Sequence, residues 1–287
     1  MPVSQQVDIA RQLSKTNILF LARCHSLFNF PLFKMYIVLE LAVVHIDETG
    51  IQRSSERSYK QQIAKVIGCS LRRIGTLSFD IGYPQTCTTA RENIYVCFGS
   101  TGQNECYVSF EPLGQFIAIV DSTYGHHQTR LASSTKYAFA VGGWVPSHPH
   151  TELLDLHTKK WQRRASYPYA DDIRDAPLLY YQSTFIIFGG YISRNPRATS
   201  VIARFSPATN QWTKLGDLLT YKSHHTAIQV PGSFLIVGGY FSGNFKMERC
   251  TVKNNAMKCK YEALDFGQYD SLHALPFNRA DCDIGGY

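Results

Sequence analysis

Three segments of this chain end a hydrophobic run with two adjacent glycines, and they constrain the fold more than any other feature. They occupy residues 137–143, 184–190 and 233–239, and the glycine pairs follow one another at intervals of 47 and 49 residues. A degenerate copy at residues 93–100 ends in Gly99-Ser100, 43 residues before Gly142. Self-similarity at such a period is typical of repeat architectures, so the chain is predicted to contain four copies of one structural unit.

An aromatic residue precedes each of the three clear glycine pairs at a similar distance. Phe116 lies 26 residues before Gly142, Trp161 lies 28 before Gly189, and Trp212 lies 26 before Gly238. The segments that begin at Trp161 and Trp212 are predicted to form short outer strands, which gives four short strands in each copy. The 17 tyrosines, 17 phenylalanines and 20 glycines suit a chain of strands and tight turns.

These marks resemble the kelch repeat, in which a hydrophobic strand ends in a double glycine that a tryptophan follows. The resemblance is most specific at residues 140–161 and 185–212 and covers residues 69–287. It implies an all-β, kelch-type β-propeller of the galactose oxidase-like superfamily, with about five blades. The first copy departs from the pattern because Phe116 replaces the tryptophan, and the last because Tyr261 or a neighbour does.

The propeller reading assigns physical roles to the repeated residues. The glycines would end strands near the crowded axis, where a side chain would collide with the neighbouring blade. The aromatics would fill the wedge that opens between blades as they fan outward. The structural repeat residues are therefore Gly99, Gly142, Gly143, Gly189, Gly190, Gly238, Gly239, Phe116, Trp161 and Trp212.

The sequence leaves two possibilities for how the propeller ring ends. The four copies span residues 84–264, and a partial fifth would occupy residues 265–287. Residues 71–77 read as an outer strand with no inner strands before it. This strand could complete a blade that the carboxy-terminal segment begins, with a Cys69–Cys282 disulfide, or the propeller could be truncated.

Residues 1–68 differ from the repeats and are predicted to be a separate N-terminal segment of uncertain structure. The apolar part is interrupted by Arg23, His25, Lys34 and Glu40, so no transmembrane helix is expected. A signal peptide is only poorly imitated, and a start at Met35 would give a better apolar centre. Residues 54–64 are polar and charged and are predicted to form a linker or a short exposed helix.

The chain has eight cysteines and no C-x-x-C pair, which argues against zinc ribbons and thioredoxin-like chemistry. Cys97 and Cys106 are nine residues apart across a predicted turn, and so are Cys250 and Cys259. Such a spacing suits disulfides between adjacent antiparallel strands, and buried free thiols are the alternative. Disulfides would place the protein in the extracellular space or at the cell surface, and free thiols would favour the cytoplasm.

In a blade of four alternating strands, the loop after the second strand and the loop between blades emerge on the same face. Tyrosine, tryptophan and arginine dominate binding hot spots, so this face predicts a protein partner or a glycan. The candidate partner-binding residues are Tyr124, His127, Trp144, His148, Asp172, Arg174, Tyr191, Arg194, Arg197, Tyr221, His224, Phe241 and Asn244, and His126 and His225 are placed on the same face.

No enzyme, cofactor or metal is predicted. The chain has no nucleophile elbow, phosphate loop or H-E-x-x-H sequence, and Asp171-Asp172 is interpreted as a solvated turn. Each adjacent histidine pair can offer only one ligand to a shared centre, because neighbouring residues in a strand point to opposite faces. The tyrosine and cysteine of galactose oxidase, a copper enzyme, cannot be matched here, so copper chemistry is only a distant alternative.

Nucleic acid is not predicted as a partner, although the chain carries a net charge of +7. The densest basic cluster surrounds Trp161 and reads as the solvated face of one strand and turn. The sequence therefore predicts a non-catalytic binding module with an undetermined oligomeric state. An intracellular kelch adaptor, such as a ubiquitin-ligase substrate receptor, is the alternative, although residues 1–68 are too short for the dimerising domain of such proteins.

Overall fold

The structure is a computed structural model that describes residues 24–25, 35–42, 59–67, 70–76, 86–90, 93–99, 103–109, 116–144, 149–193, 197–239 and 246–265. In these ranges the regular secondary structure consists of β-strands and includes no helix. The strands are β1 Cys24–His25, β2 Met35–Ala42, β3 Tyr59–Ile67, β4 Ser70–Thr76, β5 Thr86–Ala90, β6 Asn93–Cys97, β7 Cys106–Ser109, β8 Phe116–Ala118, β9 Ala132–Ser133, β10 Tyr137–Val141, β11 Thr151–Asp155, β12 Lys160–Arg164, β13 Leu178–Tyr181, β14 Thr184–Tyr191, β15 Ala198–Ser206, β16 Gln211–Lys222, β17 Thr226–Val230, β18 Ser233–Val237, β19 Lys246–Lys253 and β20 Ala256–Asp265.

Four consecutive antiparallel units of four strands each run from β5 to β20, as the repeat predicted. They comprise β5–β8, β9–β12, β13–β16 and β17–β20, and β1 adds a parallel strand to the edge of the first. The first strands of consecutive sheets contact one another, from β5 to β9, β13 and β17. The all-β architecture is thus a series of sheets packed side by side through their first strands, which is consistent with a propeller-like fold.

The second strand of each sheet is buried on both faces, which explains its continuous hydrophobic sequence. In β10, Ala138 packs with the first sheet and the adjacent Phe139 packs with the third. Phe139 stacks on Phe185 of β14 with ring centroids 4.6 Å apart. A third cluster joins the third and fourth sheets, where Phe188 lies 5.4 Å from Phe234. Each sheet therefore shares a separate hydrophobic core with the next one.

The repeated tryptophans lie in these cores at the outer strands, as predicted. Trp161 packs 5.5 Å from Phe98 of the first sheet. Trp212 packs 5.8 Å from Phe139 of the second sheet, and its Nε1 donates a hydrogen bond to the Ala165 carbonyl at 2.8 Å. Phe116 occupies the same register position at the start of β8, opposite Ser109. Each aromatic therefore belongs to the outer strand of its copy.

The fourth sheet replaces the tryptophan with a cysteine. In the third sheet, Trp212 of β16 pairs with Phe205 of β15, which in turn pairs with Phe185 of β14. In the fourth sheet the same three positions are occupied by Cys259, Cys250 and Phe234. Phe185 and Phe234 are equivalent because each lies four residues before the first glycine of its pair. Tyr261, which the sequence suggested for this role, is 40% exposed instead. Cys259, two positions earlier, packs against the core between the third and fourth sheets instead.

The double glycines adopt the left-handed conformation where neighbouring copies approach closely. Gly142 has φ +71°, and a Cβ there would overlap the carbonyl of Ile173, which belongs to the loop entering the next sheet. A Cβ at Gly190 would lie 2.7 Å from the Ala176 side chain. In the first copy the positive φ falls on Phe98 at +64°. The Phe98 N–H donates to the Glu105 carbonyl across the turn, as the Gly142 N–H donates to the His150 carbonyl. Phe98 therefore corresponds to Gly142, and Gly99 to Gly143.

The N-terminal strands correct two expectations. Residues 59–67 form β3, whereas the sequence predicted a linker or short helix over residues 54–64. The segment at residues 71–77 is a strand, β4, but it has strands before it because β2, β3 and β4 form a three-stranded sheet. This sheet crosses the predicted domain boundary between residues 68 and 69. The fifth blade and the Cys69–Cys282 pair lie outside the described residues.

Two disulfides join neighbouring strands within single sheets, as the spacing predicted. Cys97 of β6 is bonded to Cys106 of β7 with their Cα atoms 4.1 Å apart. Cys250 of β19 is bonded to Cys259 of β20 with their Cα atoms 4.0 Å apart. The disulfides indicate an oxidising environment of extracellular type. Among the described residues, no helix has the length and apolar character needed to cross a membrane.

Candidate functional site

Three of the predicted binding residues form one stack between the second and third sheets. The guanidinium of Arg174 lies 3.8 Å from the centre of the Trp144 ring and 4.0 Å from the centre of the Tyr191 ring. Trp144 is 46% exposed, whereas Arg174 is 8% exposed. We call these three residues the aromatic–arginine stack. A desolvated cation between two ring faces is a favourable electrostatic arrangement, and it fixes an exposed indole in one position.

The backbone holds each member of the aromatic–arginine stack in place. Trp144 and Tyr191 each follow a double glycine directly, so their strands end at the same edge. The Arg174 N–H donates to the Tyr191 carbonyl at 3.1 Å, and the Tyr191 N–H donates to the Arg174 carbonyl at 2.7 Å. The Trp144 N–H donates to the His127 carbonyl at 2.9 Å. The stack is therefore preorganised by main-chain hydrogen bonds.

A second stack involves Tyr124, another predicted binding residue. Its ring lies parallel to that of His150, with the centroids 3.6 Å apart, and the Arg163 guanidinium lies 5.0 Å from its centre. Arg163 belongs to the basic cluster around Trp161. In the same cluster, Lys159 donates hydrogen bonds to the Tyr95 hydroxyl and the Leu156 carbonyl. Part of this cluster thus serves contacts within the protein.

The remaining predicted site residues differ in their exposure and in their contacts within the protein. Asp172 is 6% exposed, and both its oxygens accept hydrogen bonds from Ser193. His224 Nε2 lies 3.2 Å from the carboxylate of the buried Asp175. Tyr221 is 43% exposed, and Arg197 is also exposed. His148, Arg194, Phe241 and Asn244 lie outside the described residues. The structure therefore assigns Asp172 a contact within the protein instead of an open position on the face.

His126, which the sequence placed on the binding face, is buried. Its Nδ1 lies 2.6 Å from the Gly142 carbonyl and its Nε2 lies 3.1 Å from Oε2 of Glu152. Glu152 also accepts hydrogen bonds from the N–H groups of Thr123 and Tyr124, both at 3.1 Å. Burial raises the pKa of Glu152, but the hydrogen bond and charge of His126 and the two N–H donors outweigh it and lower the pKa. This carboxylate anchors the loop that carries Tyr124.

The fourth sheet repeats this loop anchor with different residues. Lys222 Nζ lies 3.3 Å from Oε1 of Glu248, and both side chains are fully buried. Glu248 accepts a hydrogen bond from the Leu219 N–H at 2.7 Å and one from the Thr220 hydroxyl at 3.0 Å. Burial lowers the pKa of Lys222, against the effect of Glu248, which raises it. We call the two pairs, His126–Glu152 and Lys222–Glu248, the buried anchors.

Sequence reasoning missed the buried anchors, although they leave a signal. In both copies the glutamate lies ten residues after the first glycine of the pair and the cation lies sixteen before it. The third copy has apolar residues at both positions. Ile173 lies sixteen residues before Gly189, and Ala203 pairs with Ile187, which lies two residues before Gly189, as the partners of the two glutamates do before their own glycines. Both belong to the core between the second and third sheets. The anchors therefore alternate between copies.

His225 is also buried instead of lying on the binding face. Neither ring nitrogen has a hydrogen-bond partner among the described residues. The ring lies beside the glycines of two copies, since a Cβ at Gly189 would come within 3.1 Å of its Cε1. Burial, and then the positive charges of Lys222 and Arg130, hold the pKa of His225 well below its usual value. It is therefore neutral in the folded protein near neutral pH.

One cluster of metal-type side chains occurs among the described residues, and it does not form a ligand set. Glu248, Cys250 and Cys259 have their ligand atoms within 4.8 Å of one another. The two sulfurs are bonded to each other, and the carboxylate is already paired with Lys222. A disulfide offers no thiolate, and thiolates are the form in which cysteine binds metals. The two cysteines therefore belong to the core between the third and fourth sheets, and Glu248 belongs to a buried anchor.

Comparisons with known proteins support the fold and leave the family unassigned. No family model matches the chain, and no curated protein matches it. Among solved structures, the chain is similar to one described as the structure of YjhT, with a TM-score of 0.58 and 13% sequence identity. The similarity covers 78% of this chain and 81% of that one. At this identity the likeness concerns the fold alone.

Proposed function

We propose that this protein is a non-catalytic binding module that recognises a protein partner through the aromatic–arginine stack. The observation that carries the proposal is the exposed Trp144 ring, which packs against the buried guanidinium of Arg174. Tryptophan, tyrosine and arginine are the residues most enriched in binding hot spots, and one of each is present in this stack. A rigid indole also loses little conformational freedom on binding.

The carboxylates around the stack support a binding role over a catalytic one. Asp172 is bonded to Ser193, Asp175 is paired with His224, and Glu152 anchors a loop. An acid–base residue needs a carboxyl group within reach of a substrate, and these three groups spend their oxygens on contacts within the protein. The residues near the face therefore hold loops in position, as a rigid recognition surface requires.

We also propose that the four sheets from β5 to β20 are kelch-type blades of a propeller. Three features support this proposal: the contacts between first strands, the positive-φ double glycines, and the outer aromatics packed between sheets. In a propeller the loops after second strands and the loops between blades share one face. Trp144 and Tyr191 come from the former and Arg174 from the latter, so their contact agrees with this geometry.

The proposed location is the cell exterior, either secreted or at the cell surface, and it depends on the two disulfides. Peptide mapping of unreduced protein from its native source is expected to recover Cys97 joined to Cys106 and Cys250 joined to Cys259. Such cross-links persist in oxidising compartments and are rare in the cytosol. Free thiols at all four positions would overturn this location and favour the intracellular adaptor.

The binding surface can be tested by site-directed cross-linking in the full chain. Arg197 is exposed, and its carbonyl accepts a hydrogen bond from Ile192, next to Tyr191. A photoreactive phenylalanine derivative at position 197 is expected to yield discrete adducts from the extracellular fluid of the source. The same derivative at Tyr261, which is exposed on the outer strand β20, is the matched control and should yield none.

Once the cross-linked partner is purified, its affinity gives the quantitative test. Trp144→Ala is expected to weaken binding at least about 30-fold, as hot-spot tryptophans do. Tyr261→Ala should change the affinity by less than about threefold, because isolated exposed residues outside an interface contribute little. Adducts at position 261 with none at 197, or equal affinities for the two variants, would contradict the proposed surface.

A further inference from the structure

The Arg174 side chain is buried and charged, yet its hydrogen-bonding groups are unused. Both faces of the guanidinium are covered by the Trp144 and Tyr191 rings. Within the part of the chain that the structure describes, the guanidinium makes no hydrogen bond or ion pair. A desolvated cation without an anion is costly, and stacking on aromatic rings offsets only part of that cost. Among the described residues, therefore, no anion meets the edge of this guanidinium.

The aromatic–arginine stack departs from the repeat symmetry. In the three copies with a double glycine, the residue fifteen positions before the first glycine is His127, Arg174 or Ser223. The residue after the glycine pair is Trp144, Tyr191 or Tyr240. An arginine between two aromatics thus arises only where the first and second of these three copies meet, which is between the second and third sheets. A packing role common to all blades would recur in each copy, so this arrangement indicates a specific use.

Resting on the proposed function, we propose that Arg174 is a receptor for a carboxylate and that the partner protein supplies it as an aspartate or glutamate side chain. A guanidinium presents parallel N–H donors that match the two oxygens of a carboxylate. The rings and the paired hydrogen bonds with Tyr191 fix the plane of this fork before the ligand arrives. The net charge of +7 favours the approach of an acidic partner.

An acidic sugar fits the stack less well than a protein side chain. A sugar ring requires an open aromatic face and acceptors for its hydroxyl groups. The ring faces directed at Arg174 are already covered by the guanidinium. The two carboxylates nearest to Arg174 in the sequence already have partners: Asp175 lies 3.2 Å from His224 Nε2, and Asp172 has both oxygens bonded to Ser193. Between the two covered ring faces, the group that remains available is therefore the guanidinium edge, which a single carboxylate satisfies.

The first test uses the unmodified full chain and two probes of the same shape. N-acetylglutamate N-methylamide and N-acetylglutamine N-methylamide differ in charge at one group. With arginine side chains labelled with ¹⁵N, the acid is expected to shift the Arg174 Nε–H resonance saturably, at least about tenfold more tightly than the amide, because only the carboxylate forms charge-assisted hydrogen bonds. Equal affinities for the two probes would overturn the inference, and glucuronate bound more tightly than the acid would assign the site to a sugar.

A variant series separates this inference from the proposed function. Arg174→Lys keeps the charge and removes the fork, and it is expected to lose at least about tenfold in affinity for the acid and for the cross-linked partner. Its denaturation midpoint should be compared with wild type so that a folding defect is recognised. If Trp144→Ala weakens partner binding and Arg174→Lys does not, the surface stands and the carboxylate receptor is refuted.

Discussion

Replacing Gly142 by alanine is expected to lower the free energy of unfolding by about 4 kcal/mol or more. Two costs combine at this position. The φ of +71° disfavours any L-residue by about 1–2 kcal/mol. The new Cβ would also overlap the backbone carbonyl of Ile173, which cannot move aside as a flexible side chain would. Relief of that overlap requires separation of the second sheet from the loop that enters the third.

Gly232 provides the matched control for Gly142. It has nearly the same φ, +72°, and a Cβ there would meet no atom within 4 Å. Gly232→Ala is therefore expected to cost only about 1–2 kcal/mol, the backbone component alone. Urea denaturation under non-reducing conditions, followed by tryptophan fluorescence, measures both variants. Equal losses for the two substitutions would show that neighbouring copies do not approach closely at Gly142.

Lys222→Met is expected to destabilise the protein by about 3–5 kcal/mol, because it leaves a fully buried carboxylate without its cation. Methionine keeps much of the apolar length of the lysine, so loss of packing contributes little. The exposed ion pair Lys214–Asp217, whose side chains are both 45% exposed, is the control. Lys214→Met should cost less than about 1 kcal/mol in the same denaturation experiment.

A second substitution distinguishes an unpaired charge from general damage at this site. Glu248→Gln removes the negative charge and keeps an amide oxygen that can accept from Leu219 or Thr220. The double variant Lys222→Met, Glu248→Gln is expected to be more stable than Lys222→Met alone by about 2 kcal/mol. A double variant that is less stable than the single one would show that Lys222 acts through packing and not through its charge.

The repeat pattern predicted the order of the strands because its signals are local. The double glycine marks the end of each second strand, and the outer tryptophans mark the fourth, so the four copies predicted over residues 84–264 correspond to β5–β20. The buried anchors escaped prediction because each pair joins residues 26 apart in the chain. The two pairs share their offsets from the double glycine, but they differ in residue type and are missing from the third copy, so the offsets indicate a pair only after the structure has shown one.

The candidate site was predicted residue by residue and not as an arrangement. Trp144, Arg174 and Tyr191 were selected because their residue types and loop positions suit a binding face. Their stacking depends on how the second and third sheets pack, which is a tertiary property. Asp172 shows the reverse case, since its charge suggested an open position, whereas its oxygens accept hydrogen bonds from Ser193, 21 residues later in the chain. Loop composition thus identified the members, while packing decided which of them remain available.

Because of the position of Cys259, the four sheets are expected to differ in their response to reducing agents. It stands where the second and third sheets carry tryptophan, so β19 and β20 have a covalent link and no aromatic wedge to replace it. No cysteine lies between Cys106 and Cys250, and this interval contains the whole aromatic–arginine stack. Loss of the disulfides would therefore fray the first and fourth sheets first, while the core between the second and third sheets, which carry the recognition surface, contains no disulfide to lose.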